Sequence, residues 1–164
     1  MKIIVSDTSV LIDLDRGGLL DGCFKLPYEF AVPDLLFRNE LEQFGGTDLL
    51  AKGLRVEQLT GGELAVAQTT RGSRRKLSLP DAYAYALASA RGWTLLTGDG
   101  ELRLLAEAQG LSFFGVLWVC DELFDHKIIE AVSMVHGLTK IAEHPRCRLP
   151  NNEVQMRLKR YRGT

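Results

Sequence analysis

Four carboxylates of this chain stand where chemistry can be done. Asp7 follows the β-branched run Lys2-Ile3-Ile4-Val5-Ser6, and Asp99 follows Trp93-Thr94-Leu95-Leu96-Thr97-Gly98. Runs that are apolar on both faces mark buried parallel strands, so both aspartates are expected just beyond strand carboxyl ends. Open parallel sheets bind ligands outside those ends, where the winding direction reverses. Asp81 sits in the first turn of the helix feeding the strand before Asp99, and Glu40 one to two turns into the helix after Phe30-Ala31-Val32. Clustered carboxylates repel one another and at neutral pH need a cation or protons. Hard oxygen donors suit Mg²⁺ or Mn²⁺. Such an ion acidifies a bound water and neutralises phosphoryl charge, so the expected chemistry is phosphodiester hydrolysis by water, without a covalent intermediate. Taken singly, each aspartate suits a helix cap equally well, and Glu40 reads as a solvated helix residue. The joint placement favours a site.

The elements that must position these acids follow from the pattern. Strands are expected at residues 2–6, 30–32, 55–59, 93–97 and 112–114. Pro33 stops the second strand, and Asp34 opens a helix that runs to about Phe44 before Gly45-Gly46, with a short helix near 48–52. Thr60-Gly61-Gly62-Glu63 has capping-box spacing and opens a helix to about Thr69. Ser78-Leu79-Pro80-Asp81 repeats that spacing ahead of the alanine-rich helix 82–91, ended by Gly92. Helices follow at 101–109, 116–125, 127–136 (ending at Gly137) and near 151–161. Strands alternating with helices imply βαβ units, a parallel sheet and right-handed crossovers.

The chain has 164 residues, 46% of them hydrophobic and 25% charged, which fits one ordinary folded domain. Its formal net charge is -1, so contact with a polyanion must come from local basic patches or bound metal. The three cysteines, Cys23, Cys120 and Cys147, are far apart and form no CxxC pair, which fits a reducing compartment. The opening apolar run is too short for a signal peptide, and no stretch approaches a membrane span. A cytoplasmic protein with no membrane partner is the expectation.

Ile4-Val5-Ser6-Asp7-Thr8-Ser9, Asn39-Glu40-Leu41, Ser78-Leu79-Pro80-Asp81-Ala82 and Leu95-Leu96-Thr97-Gly98-Asp99 resemble, in order and spacing, the four signature segments of the PIN domain family. The resemblance covers roughly residues 1–125. It implies a three-layer α/β/α sandwich with a five-stranded parallel sheet of order 3-2-1-4-5. It also implies an Mg²⁺- or Mn²⁺-dependent ribonuclease with Asp7, Glu40, Asp81 and Asp99 as catalytic and metal-binding residues. Thr97 matches a hydroxyl position that orients the first aspartate, and Thr8 is a candidate for a similar part. Small proteins of this kind are often VapC-type toxins, usually homodimers, each inhibited by an antitoxin protein. The chain departs from that pattern after Asp99, where Glu101 is the nearest further acid, and beyond residue 125, where it is longer than a minimal toxin. Residues 1–143 are therefore expected to form the PIN-like nuclease domain, and 144–164 a basic, helical C-terminal tail.

Four further features stand apart from the acids. Arg71, Arg74, Arg75 and Lys76 form a basic loop that either holds RNA phosphates or is simply solvated. Arg146, Arg148, Arg157, Lys159, Arg160 and Arg162 make the tail basic, for RNA, an acidic partner, a second protomer or solvent. Tyr83 and Tyr85, two apart on one helix, are expected one in the core and one exposed, and Trp93 and Trp118 in the core. The spacings of His126, His136, His144 and Cys147 match no zinc motif. The functional alternatives are a catalytically silent PIN-like RNA- or protein-binding module, and a phosphatase of the haloacid-dehalogenase type. The latter requires an aspartate two residues after Asp7, where this chain has Ser9.

Overall fold

The computed structural model describes residues 2–163. Five parallel strands form its centre: β1 (Lys2–Ser6), β2 (Tyr28–Pro33), β3 (Arg55–Glu57), β4 (Thr94–Leu96) and β5 (Phe113–Phe114), in the order β3-β2-β1-β4-β5. Strand β1 is central because its apolar residues face both layers: Ile4 and Val5 are fully buried. Ile4 lies opposite Phe30 on one side and Thr94 on the other. The third strand stops at Glu57 instead of continuing to Leu59.

The helices form two outer layers of a three-layer α/β/α sandwich. One layer holds α3 (Asp34–Leu36), α5 (Gly61–Ser73), α6 (Leu79–Arg91) and α7 (Gly100–Ala108), all packed on α6. The other holds α1 (Thr8–Arg16), α2 (Leu20–Cys23), α8 (Val116–Asp125), α9 (Ala131–Glu143) and α10 (Asn151–Tyr161). The short α4 (Gly46–Lys52) leads into β3. The expected capping box forms at the start of α5, where Thr60 and Glu63 exchange hydrogen bonds. Glu63 also pairs with Arg91 at the end of α6 at 3.0 Å, which ties the two helices together. Gly92, at φ +67°, ends α6 in the left-handed conformation that glycine tolerates.

Three readings of the pattern are corrected. Tyr83 and Tyr85 are both buried, at 8% and 7% exposure. Helix α6 is covered by the sheet and by neighbouring helices, so a two-residue offset does not reach solvent. Helix α9 does not end at Gly137 but runs through it, from Ala131 to Glu143. A Cβ at Gly137 would lie 2.6 Å from the Gly17 carbonyl oxygen and 2.8 Å from Leu19, so this glycine permits a close approach to the end of α1. In addition, α5 continues to Ser73, which places Arg71 on a helix instead of in a loop.

Helix α10 buries Val154, Leu158 and Tyr161. Arg157 pairs with Asp121 at 3.0 Å and Glu153 at 2.7 Å, Arg160 pairs with Asp121 and Asp125, and the Tyr161 hydroxyl donates to Asp121 at 2.6 Å. Trp93 and Trp118 are half-buried against the core. Among the described residues, no helix is long and apolar enough to cross a membrane.

Candidate active site

The sheet order sets the site. The chain winds from β1 outward through β2 to β3, then crosses back to β4 and β5. The winding reverses between β1 and β4, and a crevice opens there at the strand carboxyl ends. Asp7 leaves β1 at that point, with its amide donating to the Leu96 carbonyl of β4 at 2.9 Å. Asp99 leaves β4 two residues after Thr97.

Both aspartates cap helices and also line the crevice, so capping does not keep either one out of the cavity. Asp7 Oδ1 accepts from the Val10 amide at 2.9 Å and from the Ser9 hydroxyl at 3.0 Å. Asp99 Oδ2 accepts from the Leu102 amide at 2.9 Å, which caps α7. Thr97 joins the two acids: its hydroxyl donates to Asp7 Oδ2 and accepts from the Asp99 amide at 3.0 Å. Asp81 lies at the third position of α6, where its amide donates to the Ser78 hydroxyl at 3.1 Å. Glu40 lies in a π-helical turn, Phe37–Leu41, that continues α3, and it accepts from the Thr8 hydroxyl at 3.0 Å. Thr8 thus orients Glu40, not the first aspartate. Ser9, which in the sequence stood out only as the place of a missing second aspartate, contacts Asp7 instead.

Asp7, Glu40, Asp81 and Asp99 all line one cavity of about 390 Å³. Its electrostatics record the crowding. Asp81 is pushed up to about 7, first by burial and then by the charges of Asp7, Asp99 and Glu40. Asp7, only 1% exposed, is also raised by burial, although Thr97, Val10 and Ser9 work against the shift. Burial and mutual repulsion therefore both favour a proton or a cation at these carboxylates.

Among the described residues, no group of three His, Cys, Asp or Glu side chains is gathered closely enough to hold a metal ion. The donors are all hard carboxylate oxygens spread around an open cavity. That arrangement fits a small hard cation that keeps most of its water and takes one or two carboxylates. It does not fit a tetrahedral zinc site.

Four arginines line the same cavity: Arg16, Arg103, Arg146 and Arg148. Arg146 and Arg148 belonged to the basic tail in the sequence, but nothing there placed them at the acids. Arg103 had a legible signal, since it stands four residues after Asp99 on the same helix face. Arg16 had none. Arg71, Arg74, Arg75 and Lys76 do not line the cavity. Arg74 lies 3.9 Å from Glu101, which lines a neighbouring groove.

A three-layer parallel α/β fold with acids at the strand switch point defines a class of nuclease-type domain. The chain belongs to the PIN domain family, whose model matches residues 3–162. PIN domains are typically nucleases that bind nucleic acid and generally use divalent metals. No curated protein matches the chain.

Proposed function

We propose that this chain is a metal-dependent endoribonuclease that hydrolyses RNA phosphodiester bonds, with Asp7, Glu40, Asp81 and Asp99 as its acids. The observation that supports it most is the convergence of those acids, from four separate segments, on one cavity, where burial first and then the charges of Asp7, Asp99 and Glu40 push Asp81 up to about 7. Mg²⁺ or Mn²⁺ held by these carboxylates would acidify a water and offset charge on the phosphoryl oxygens. The protein's own part is positioning. Thr97 holds Asp7 and Asp99 in register across β1 and β4, and Thr8 holds Glu40 toward the same cavity.

The reading extends to a toxin of the VapC type, working in the cytoplasm as a homodimer under an antitoxin. All three cysteines are free thiols, which fits a reducing compartment. Growth arrest on expression, relieved by a co-expressed neighbouring gene product, is the outcome expected of a toxin. A catalytically silent module is disfavoured because the acid set is intact.

The deciding measurement is cleavage of a labelled RNA by the purified chain with Mn²⁺ against EDTA. Asp7→Asn and Asp99→Asn are expected to lower the rate about 100-fold or more, the scale of losing a preorganised electrostatic group. No cleavage by the wild type, together with no Mn²⁺ binding by calorimetry, overturns the reading.

A further inference from the structure

The two halves of the basic C-terminal stretch have different fates. On α10, Arg157 and Arg160 are committed to Asp121, Asp125 and Glu153. Arg146 and Arg148, on the segment between α9 and α10, have no carboxylate within 4.0 Å among the described residues, yet both line the acidic cavity. That segment is a folded turn. The Cys147 amide donates to the His144 carbonyl at 2.9 Å, the Arg146 amide to His144 Nδ1 at 3.1 Å, and the Leu149 amide to Cys147 Sγ at 3.4 Å. The arginines are therefore carried on an ordered support between α9 and the packed α10.

A second, shallower groove continues from the cavity over α7 toward Phe113, and Asp99, Arg103 and Arg148 line both spaces. Arg103 lies over the Phe113 ring at 5.3 Å and, like Arg148, pairs with no carboxylate among the described residues. Glu101, also on this groove, faces Arg74. Exposed Leu104 and half-buried Phe113 give the groove an apolar surface beside its cations.

A polyanion approaching four carboxylates is repelled unless cations hold it close by. Phosphate contacts fix the register of a nucleic acid strand, and an arginine fork matches phosphate geometry. We propose that Arg103 and Arg148 clamp a phosphate of single-stranded nucleic acid adjacent to the one at the acids, with Arg146 beside them, so that the strand leaves the cavity along α7. The ligand class rests on the nuclease reading. The clamp itself is tested without catalysis.

The test is binding of a fluorescein-labelled eight-nucleotide single-stranded RNA to the full chain by anisotropy, in EDTA, across a salt series. Each neutralised phosphate of a single strand contributes about 0.7 to the slope of log affinity against log salt. Arg103→Gln with Arg148→Gln, which frees the one clamped phosphate, is expected to lower that slope by about 0.7 and to weaken binding severalfold, with an unchanged melting midpoint because both side chains are exposed. Arg71→Gln with Arg75→Gln is the control and is expected to leave the slope intact. The proposal is overturned if the control lowers the slope and the clamp variant does not, if the wild type does not bind, or if an acidic peptide of equal charge competes as well as RNA. Failure of the nuclease reading shows separately, as absent Mn²⁺-dependent cleavage in a protein that still binds.

Discussion

At the residue scale, the site is held by one hydroxyl and strained by one carboxylate. Thr97 is fully buried, and its hydroxyl serves Asp7 and the Asp99 amide at once. Replacing it by valine leaves both unsatisfied in a low-dielectric setting, where each orphaned polar group costs about 1–3 kcal/mol. Thr97→Val is expected to lower the urea midpoint, and Thr97→Ser to restore most of it. Equal stability of all three proteins would contradict this role. Asp81 works in the opposite direction. Its folded-state pKa is about 7, above its ordinary value of 3.8, so the folded state holds the proton more tightly than the unfolded chain. Stability linked to that proton is fully present below the ordinary value and is lost as pH rises through about 7. In EDTA, Asp81→Asn is expected to be more stable than wild type at pH 8 by about 1–3 kcal/mol, after allowance for partial solvent screening. At low pH the gap closes. A gap that does not change with pH would show that the charge is not the cause.

At the element scale, the close crossing of α9 over the end of α1 is the least forgiving contact. A methyl group at Gly137 meets backbone at 2.6 Å, and one at Gly17 meets the Gly137 oxygen at 2.9 Å. Backbone cannot rotate away as a side chain can. Gly137→Ala should therefore destabilise by about 1–3 kcal/mol, the scale of overpacking, despite alanine's better helix propensity. Denaturant unfolding measures this, and a stabilised variant would mean that the helices separate easily. The crossing matters for the site because α1 carries Thr8 and Ser9 at its other end, and α9 leads directly into the segment bearing Arg146 and Arg148. Helix α10 completes that support: Leu158 and Tyr161 are buried, and Tyr161 packs on Phe124 with ring centroids 4.7 Å apart.

At the scale of the whole molecule, charge is sorted rather than absent. The net charge of -1 hides a crevice lined by both carboxylates and arginines. A fold that stores like charges is less stable than it need be, and a ligand that relieves them should return stability. By mass action, a cation at about 100 times its dissociation constant adds about 2.7 kcal/mol. Mn²⁺ or Mg²⁺ is therefore expected to raise the melting midpoint of the wild type by several degrees, and EDTA to reverse it. The doubly substituted Asp7→Asn, Asp99→Asn protein should show little response. An equal rise in both would place the cation elsewhere.

The sequence by itself determined the parallel α/β sandwich, its strand order through family likeness, and the identity of the four acids that now line one cavity. The strands, the caps and the strand-end aspartates were legible because they are local, whereas the strand order and Glu40 rested on the family likeness. Buried strands are apolar on both faces, caps need Ser, Thr or Asp at set offsets, and ligand-facing aspartates follow strand ends. Only the tertiary structure decided where the tail's cations go, that Thr8 serves Glu40 while Ser9 serves Asp7, that both Tyr83 and Tyr85 are buried, and that Gly137 is a crossing point instead of a stop. The physical reason is common to all of these. Each depends on which distant segment packs alongside, and a residue's own neighbours in the chain carry no record of that.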